Sequence, residues 1–531
     1  MSSPAKSLSP SASVPSPAKP TTQKSEKAKS VNKIGLAFWM DRVLEECERA
    51  SVDFAPDPVH DLRVALRRCR SMADGIMAID PDPTWKQMKK SGKALFSRLG
   101  DLRDTQVMEE WMHRLDSPGD PVTSKLLQFL AIREAQFKQE SAQALEDFDR
   151  KQWRRWSKTL PRRASRLRLG SDIFKHLALE RWIEAHDLHR RALRNRSQVA
   201  FHSLRIGIKR FRYIVENFLP QQHGAWSDDL KELQDLLGEV HDLDVVWSTA
   251  LQVNAFPDAA AHSRWHARII QERTSRIDKY KDEVTGKDSL WQVWRAELPQ
   301  GKQIQAAALH RLCLWASVLD PDFKHSDRVT RLALQLYDGL PIKRSPTEAN
   351  RRNSNHGDST HPDSSHPVQS HIDQRAILQV AALLHDVGRS KREKKSHKAT
   401  YQLINRLKPP AGWSAESLHM AAVVSRYHQG ALPHAGQASL RGLTSEQRQT
   451  VLRLAGILRL ADAFDSNREG RIQRLHVAPQ NGFLAVAAQG YSPRDRVAER
   501  IAGARHLLEL VYKRPVMVRP LVVKTAKGPR R

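Results

Sequence analysis

The chain writes one helical pattern twice. His60-Asp-Leu-Arg63-Val-Ala-Leu-Arg67-Arg68-Cys-Arg70 returns as His202-Ser-Leu-Arg205-Ile-Gly-Ile-Lys209-Arg210-Phe-Arg212, with a base three, seven, eight and ten residues after each histidine. On a helix of 3.6 residues per turn, the histidine and the bases at three, seven and ten share a face. An apolar stripe is copied with them: Leu62, Leu66, Cys69 and Ala73 match Leu204, Ile208, Phe211 and Val215. The two stripes are centred roughly 110° apart at about 100° per residue. Each copy therefore predicts a helix with one flank in a core and a cationic flank turned towards something else. A second pair follows in the same order, Leu99-Gly100-Asp-Leu-Arg103-Asp104-Thr-Gln-Val107 and Leu237-Gly238-Glu-Val-His241-Asp242-Leu-Asp-Val245. The duplicated unit is thus a set of helices rather than one.

A single basic helix face is ordinarily a solvated surface. Solvation gives no reason to repeat histidine and bases at fixed offsets in two otherwise diverged halves, whereas a shared ligand surface does. Arginine and lysine are the residues that hold phosphate-type oxygens. Asp104 and Asp242 recur at matching places and are expected to orient the arginines or cap helices, since no nucleophile lies nearby. A net charge of +28 over 531 residues calls for a polyanionic partner and salt-sensitive binding without naming the polyanion.

These two signatures resemble those of the CHAD domain, the conserved histidine α-helical domain, over roughly residues 34 to 300. The resemblance implies two four-helix halves, about 34–170 and 171–300, around a basic cavity that binds inorganic polyphosphate. It assigns that ligand to His60, Arg63, Arg67, Arg68, Arg70, His202, Arg205, Lys209, Arg210 and Arg212. One departure is His241, which stands where the first half has Arg103.

The flanking segments are read from composition. Residues 1–33 are rich in Ser, Pro, Lys and Ala, with Glu26 the only acid, and are expected to form a disordered basic arm. Pro56 and Pro58 are expected to break the chain before the His60 helix, and Pro81 and Pro83 after it. Trp153-Arg154-Arg155-Trp156 interleaves aromatics with bases, as single-strand binders sometimes do. The tryptophans' spacing of three favours core packing. Residues 342–372, with His356, His361, His366 and His371, read as a disordered insertion. Cys47, Cys69 and Cys313 are far apart and form no Cys-x-x-Cys pair, which fits a reducing, cytoplasmic setting. No apolar run is long enough to span a bilayer.

From about residue 301 the informative residues become His and Asp. A nearly apolar stretch, 373–386, ends in His385-Asp386, where Gly388 is placed to stop a helix. A second apolar helix over 447–463 contains Asp462, and His325 opens a helix before both. A buried carboxylate must be paired or bound to metal. One histidine, a His-Asp pair and a distant aspartate form a mixed N/O set that suits Mg, Mn, Fe, Ni or Zn alike. Beyond about 476, strand-like runs Phe483–Ala488 and Pro515–Val518 flank a helix over about 494–512, a small α/β appendage.

Phe323-Lys-His325-Ser-Asp-Arg-Val329, Leu383-Leu-His385-Asp386-Val-Gly388, Ser425-Arg-Tyr-His428 and Leu460-Ala-Asp462-Ala-Phe-Asp465 resemble the HD domain. More narrowly, they are similar to the C-terminal region of the exopolyphosphatase/guanosine pentaphosphatase family. The resemblance implies a divalent metal held by His325, His385, Asp386 and Asp462, with Asp386 needed for any catalysis. His397 and His428 are its candidates for a second metal or for phosphate contact. That family hydrolyses polyphosphate with a separate actin-like domain, and nothing in this chain resembles one.

The fold expected is therefore mainly α: duplicated antiparallel helical bundles, a helical HD domain over 301–475, and the α/β appendage. The function expected is polyphosphate binding joined to a metal-dependent phosphohydrolase acting on polyphosphate or phosphorylated small molecules. A non-catalytic scaffold on polyphosphate granules is the alternative. A nucleic-acid binder is supported by charge alone, because no zinc-finger, RNP or other base-reading signature is present.

Overall fold

The computed structural model describes residues 35–115, 119–341, 373–391, 395–434 and 436–521. The expected basic arm and the histidine-bearing insertion lie outside the described residues. The fold is mainly α with one small sheet near the C-terminus. No helix among the described residues is long and apolar enough to cross a membrane.

The first series of helices is α1 (Leu36–Ala50), α2 (Pro56–Met77), α3 (Pro83–Ser91), α4 (Lys93–Leu115), α5 (Pro121–Glu146) and α6 (Arg150–Ala164). Pro56 and Pro58 do not break the chain ahead of His60 but form the first turn of α2. First-turn N–H groups have no intrahelical acceptor, so proline loses nothing there, and its fixed φ suits the helix. Pro83 and Pro121 open α3 and α5 in the same way. Trp153 and Trp156 are buried, and Trp153 Nε1 donates to the Met40 carbonyl of α1 at 2.9 Å.

The second series is α7 (Asp172–Asn195), α8 (Gln198–Phe218), α9 (Pro220–Gln252), α10 (Ala259–Val284) and α11 (Leu290–Ala296). Both copied apolar stripes, Leu62/Leu66/Cys69/Ala73 on α2 and Leu204/Ile208/Phe211/Val215 on α8, are fully buried.

The chain divides into two compact units. One comprises residues up to Arg70, Lys90–Gln106 and Ile132–Leu167, and the other Ser71–Lys89, Val107–Ala131 and everything from Arg168. One cut falls between Leu167 and Arg168, while residues 71–89 and 107–131 of the first helical series belong to the second unit. The end of α4 and the start of α5, through Trp111, Met112, Val122 and Leu126, share a core with Leu243, Val246, Trp265 and Ile269 of α9 and α10.

The C-terminal region belongs to the second unit. It contains α12 (Lys302–Leu319), α13 (Phe323–Gly339), α14 (Gln374–Leu384), α15 (Ser396–Asn405), α16 (Ala415–Arg426) and α17 (Ser445–Phe464). Then come β1 (Leu475–Gln480), β2 (Phe483–Ala488), α18 (Arg496–Ala504), α19 (His506–Tyr512) and β3 (Val516–Pro520). The helix expected over 494–512 is thus two helices meeting at Arg505. β1 and β2 form an antiparallel hairpin, and β3 joins β2 in parallel after the helical crossover that parallel pairing requires. Val477, Leu484, Val486 and Val516 of the sheet lie in the same core as Leu332, Leu378 and Leu458 of the helices. The expected small α/β part is present, and its sheet packs into the helical core.

Candidate functional site

Four helices deliver His and Asp to one place in the C-terminal region. His325 is in the first turn of α13, where Asp322 caps the helix. His385-Asp386 directly follows α14, His428 lies two residues past α16, and Asp462 sits in the last turn of α17. Ligand-type atoms of His325, His385 and Asp462 lie within 4.8 Å of one another, and so do those of His385, Asp386 and His428. His325, His385, Asp386 and His428 are buried, while the Asp462 side chain is 23% exposed and marks the opening.

The three histidines share one local design. His385 Nδ1 donates to the Ala382 carbonyl at 2.7 Å, and His428 Nδ1 donates to the Ser425 carbonyl. Each thereby satisfies a last-turn carbonyl of its own helix, three residues back. His325 Nδ1 faces Asp465 Oδ2 at 2.8 Å. These acceptors hold a proton on Nδ1 and turn Nε2 into the pocket, the outer-partner arrangement found behind metal-ligating histidines. His325 Nε2 is 3.1 Å from Asp462 Oδ1, and His385 Nε2 is 3.6 Å from the same oxygen. His385 Nε2 is buried and has no hydrogen-bond partner. A buried, unpartnered ring nitrogen beside two carboxylates fits a divalent cation.

The electrostatics point the same way. Burial alone raises the Asp386 carboxyl, but His385, His428 and Arg468 outweigh it and hold the group at about 2. Burial likewise opposes ionisation of Asp462, yet the hydrogen bond from His325 and the neighbouring His385 ring keep it well below the usual carboxylate range. Burial opposes protonation of His385, but Asp462 and Asp386 raise it to about 9. His428, with burial and His385 against its charge, falls to about 4. Two ionised carboxylates thus persist in a buried pocket because positive charge is present or available beside them.

Two residues that support the centre had no role assigned from the sequence, although Asp465 stands in a quoted motif. Asp465, three residues after Asp462, orients His325 and also accepts from Arg328 Nε at 2.8 Å. Arg468 donates to Asp322 Oδ2 at 2.8 Å and to Asp386 Oδ2 at 2.6 Å, and Arg389 Nη1 approaches the same Asp386 oxygen at 3.2 Å. The Asp-x-x-Asp spacing was visible as a signal for Asp465. Arg468 had none, since its role depends on a turn beyond the helix end. His397 stands outside both ligand groups. Its half-buried ring lies beside Gly430, and burial together with Arg426 and Lys398 holds it uncharged more readily than usual.

Gly388 does not end a helix with a left-handed turn. A 3-10 turn, Val387–Lys391, continues the chain. A Cβ at residue 388 would meet the Ser396 carbonyl at 2.1 Å and the Thr400 nitrogen at 2.4 Å. The glycine lets α15 press on the His385-Asp386 turn, where Thr400 Oγ1 donates to the His385 carbonyl at 2.9 Å and accepts from Gly388 N at 3.0 Å.

On α2, His60 is exposed and Arg63, Arg67, Arg68 and Arg70 are half-buried. Arg63 Nη1 lies 3.6 Å from Asp104 Oδ1 and 3.4 Å from the Leu99 carbonyl. Gly100 permits this, because a Cβ there would come within 2.9 Å of Arg63 Nη1. Arg63 and Arg70 both lie over Phe96, and Arg68 lies over Trp39. Burial and then Arg103 lower the His60 imidazole.

On α8, His202 Nδ1 is 3.3 Å from His241 Nδ1, and burial, Arg205 and His202 bring His241 to about 4. Position 103 and its counterpart 241 therefore each act on the signature histidine of their own half. Arg210 Nη1 lies 3.3 Å from Glu184 Oε1 on α7, and Arg212 Nη2 is 3.9 Å from Glu216. Lys209 is half-buried, and Arg205 Nε is buried without a hydrogen-bond partner.

Two family models match this chain, one over each part. The model of the CHAD domain matches residues 37–251. The model of the Ppx/GppA phosphatase domain III matches residues 308–482, a range that spans the whole His/Asp centre. Among solved structures, the CHAD domain from the plant Ricinus communis is similar at 22% identity, over 49% of this chain and 88% of that one, with a TM-score of 0.33. No curated protein matches the chain.

Proposed function

We propose that this chain binds inorganic polyphosphate through its two basic helices. We further propose that its C-terminal region is an HD-type, metal-dependent phosphohydrolase acting on polyphosphate or a related phosphate ester. The observation that carries the second part is the common orientation of His325, His385 and His428. Each spends Nδ1 on an outer acceptor, and Asp462 and Asp386 close the same pocket. His325, His385, Asp386 and Asp462 would hold the ion, with His428 beside them. A divalent ion there would polarise a phosphoryl oxygen and make water a better nucleophile. The protein's own part is to fix the histidines, keep both carboxylates ionised and leave Asp462 at the opening.

Support for polyphosphate comes from two signatures that differ in sequence yet keep a cation at the same offsets from each histidine, and from the domain matches. The test is phosphate release from polyphosphate, nucleotides and an alarmone with Mg, Mn, Fe, Ni or Zn, alongside the metal content of wild type and Asp386→Ala. Asp386→Ala should lose both metal and turnover while still binding polyphosphate. Equal metal content in the two proteins would remove the assignment.

One observation favours a non-catalytic reading. Arg468 and Arg389 both engage Asp386, and a carboxylate already paired is a poorer ligand. A scaffold would bind polyphosphate as tightly as proposed and release no phosphate with any of the ions.

A further inference from the structure

Helix α6 carries a charge pattern that neither signature explains. Its exposed residues are Lys151, Arg154, Arg155, Lys158, Thr159 and Arg162, five cations and a threonine. None of the five makes an ion pair among the described residues. The helix itself contains no acid. Lys151, Arg155, Lys158 and Arg162 fall in one stripe, about 16 Å long at about 1.5 Å per residue. It lies opposite the seam formed by Trp153, Trp156 and Leu160, which are buried. Unpaired like charges one turn apart repel and weaken a helix, so this arrangement costs stability unless an anion is present.

What the face lacks identifies the anion. Both tryptophans are turned into the core, and Trp153 Nε1 is already bonded, so no aromatic platform remains for stacking bases. Ser157 and Thr159 donate their hydroxyls to Arg154 and Arg155 carbonyls of their own helix, leaving little to read a base edge. No apolar residue is exposed on the helix, so it has nothing to insert into a membrane interface. The face offers charge and only charge, in a line.

We propose that the exposed stripe of α6 is a second contact for long-chain polyphosphate, separate from the two signature helices. This rests on the proposed polyphosphate binding. It predicts that the protein recognises chain length: short chains use the signatures alone, and long chains reach α6 as well.

The test uses the full chain with Lys151, Arg155, Lys158 and Arg162 all changed to Gln, a residue of similar helix propensity. Binding is measured against a short oligophosphate, long-chain polyphosphate, a single-stranded RNA homopolymer and anionic vesicles, each over a series of salt concentrations. Circular dichroism checks that the helix content is kept. Short-chain affinity should not change. For the long chain, affinity should fall, and the slope of log K against log salt should shrink by about 0.7 per neutralised residue, near 3 in total. An unchanged long-chain slope, an equal loss for both lengths, or a loss confined to RNA or vesicles would overturn the proposal. Arg63→Ala/Arg67→Ala and Arg205→Ala/Lys209→Ala are run beside it. If those leave short-chain binding intact, the polyphosphate reading itself fails. If they abolish it while the Gln variant behaves as wild type, only the α6 contact fails.

Discussion

Arg468 Nη2 donates to Asp386 Oδ2 at 2.6 Å, so a guanidinium holds one of the carboxylates that a metal at this centre would need. Arg468 has φ 61, a left-handed conformation that strains a non-glycine residue by on the order of 1 kcal/mol. Its side-chain bonds to Asp322 and Asp386 help hold it there. Arg468→Gln removes the competing cation. Divalent-metal affinity of the full chain, followed by calorimetry, should rise about tenfold, since a charge-assisted bond is worth about 1.5–3 kcal/mol. Weaker binding in the variant would mean that Arg468 instead holds Asp386 in place for the ion.

Gly388 offers a structural test of the same centre. A methyl group there would overlap the backbone of Ser396 and Thr400, neither of which is the free end of a flexible side chain. Gly388→Ala should therefore displace α15 from the His385-Asp386 turn and destabilise the region by at least about 1–3 kcal/mol. Thermal unfolding would show the loss. Reduced metal content in the variant would show that the turn shapes the centre.

The paired signatures should both contribute to binding. Replacing Arg63 and Arg67 by Ala, or Arg205 and Lys209, should weaken polyphosphate affinity in each case, by about 1.5–3 kcal/mol per lost charge-assisted contact. Far-UV circular dichroism should not change, because the buried stripes of α2 and α8 remain. Loss from one pair only would mean that a single half carries the ligand.

Most of the helical order was legible because period decides burial. Leu62 and Leu66 recur on a helical stripe, and so do Leu204 and Ile208, and all four are buried. Phe483–Ala488 was readable as a strand because it is short, apolar and bounded by turns. Leu475–Gln480 was not, since its pattern is mixed and it owes its state to pairing with β2. Proline was misread at Pro56 and Pro58 because its effect depends on position: it disrupts a helix interior but fits the first turn. At the centre, the His and Asp residues were visible as types at helix ends. Arg468 was not, because nothing local shows that a turn after α17 folds back onto Asp386. Gly388 drew notice for the wrong reason. Its local context suggested a cap, whereas the approach of α15 is a tertiary fact.

A pH effect should arise away from the candidate centre. His189 is buried, with Nδ1 2.8 Å from the Tyr280 hydroxyl. Burial, helped by His186 and Arg190, lowers its imidazole from 6.5 to about 4. The folded state therefore refuses a proton that the unfolded chain accepts below 6.5. Stability from this group is full above pH 6.5, declines as pH falls towards 4, and levels off below. The whole change amounts to about 3 kcal/mol. His189→Gln should flatten part of the decline in melting temperature between those limits. An unchanged pH profile would mean that His189 is more accessible than its packing implies.

The last prediction concerns Glu180 on α7. Its carboxylate lies 2.8 Å from Arg311 Nη1 on α12, with the two side chains 10% and 13% exposed. It also accepts from Ala411 N at 2.9 Å, and His176 Nε2 donates to the Ala411 carbonyl at 2.9 Å. One helix of the second repeat is thereby fastened to the loop between α15 and α16, the two helices that carry Thr400 and Ser425 of the candidate centre. One turn along α7, Glu184 holds Arg210 of the second signature. Removing one partner of a buried pair leaves an uncompensated charge, so Glu180→Ala should cost about 3–5 kcal/mol. Glu180→Leu combined with Arg311→Leu should recover much of that, because the buried charge disappears with its partner. Denaturant unfolding of wild type, Glu180→Leu, Arg311→Leu and the double variant forms a double-mutant cycle that measures the coupling directly. A loss below about 1 kcal/mol for Glu180→Ala is the range of exposed pairs, and it would show that water reaches this junction.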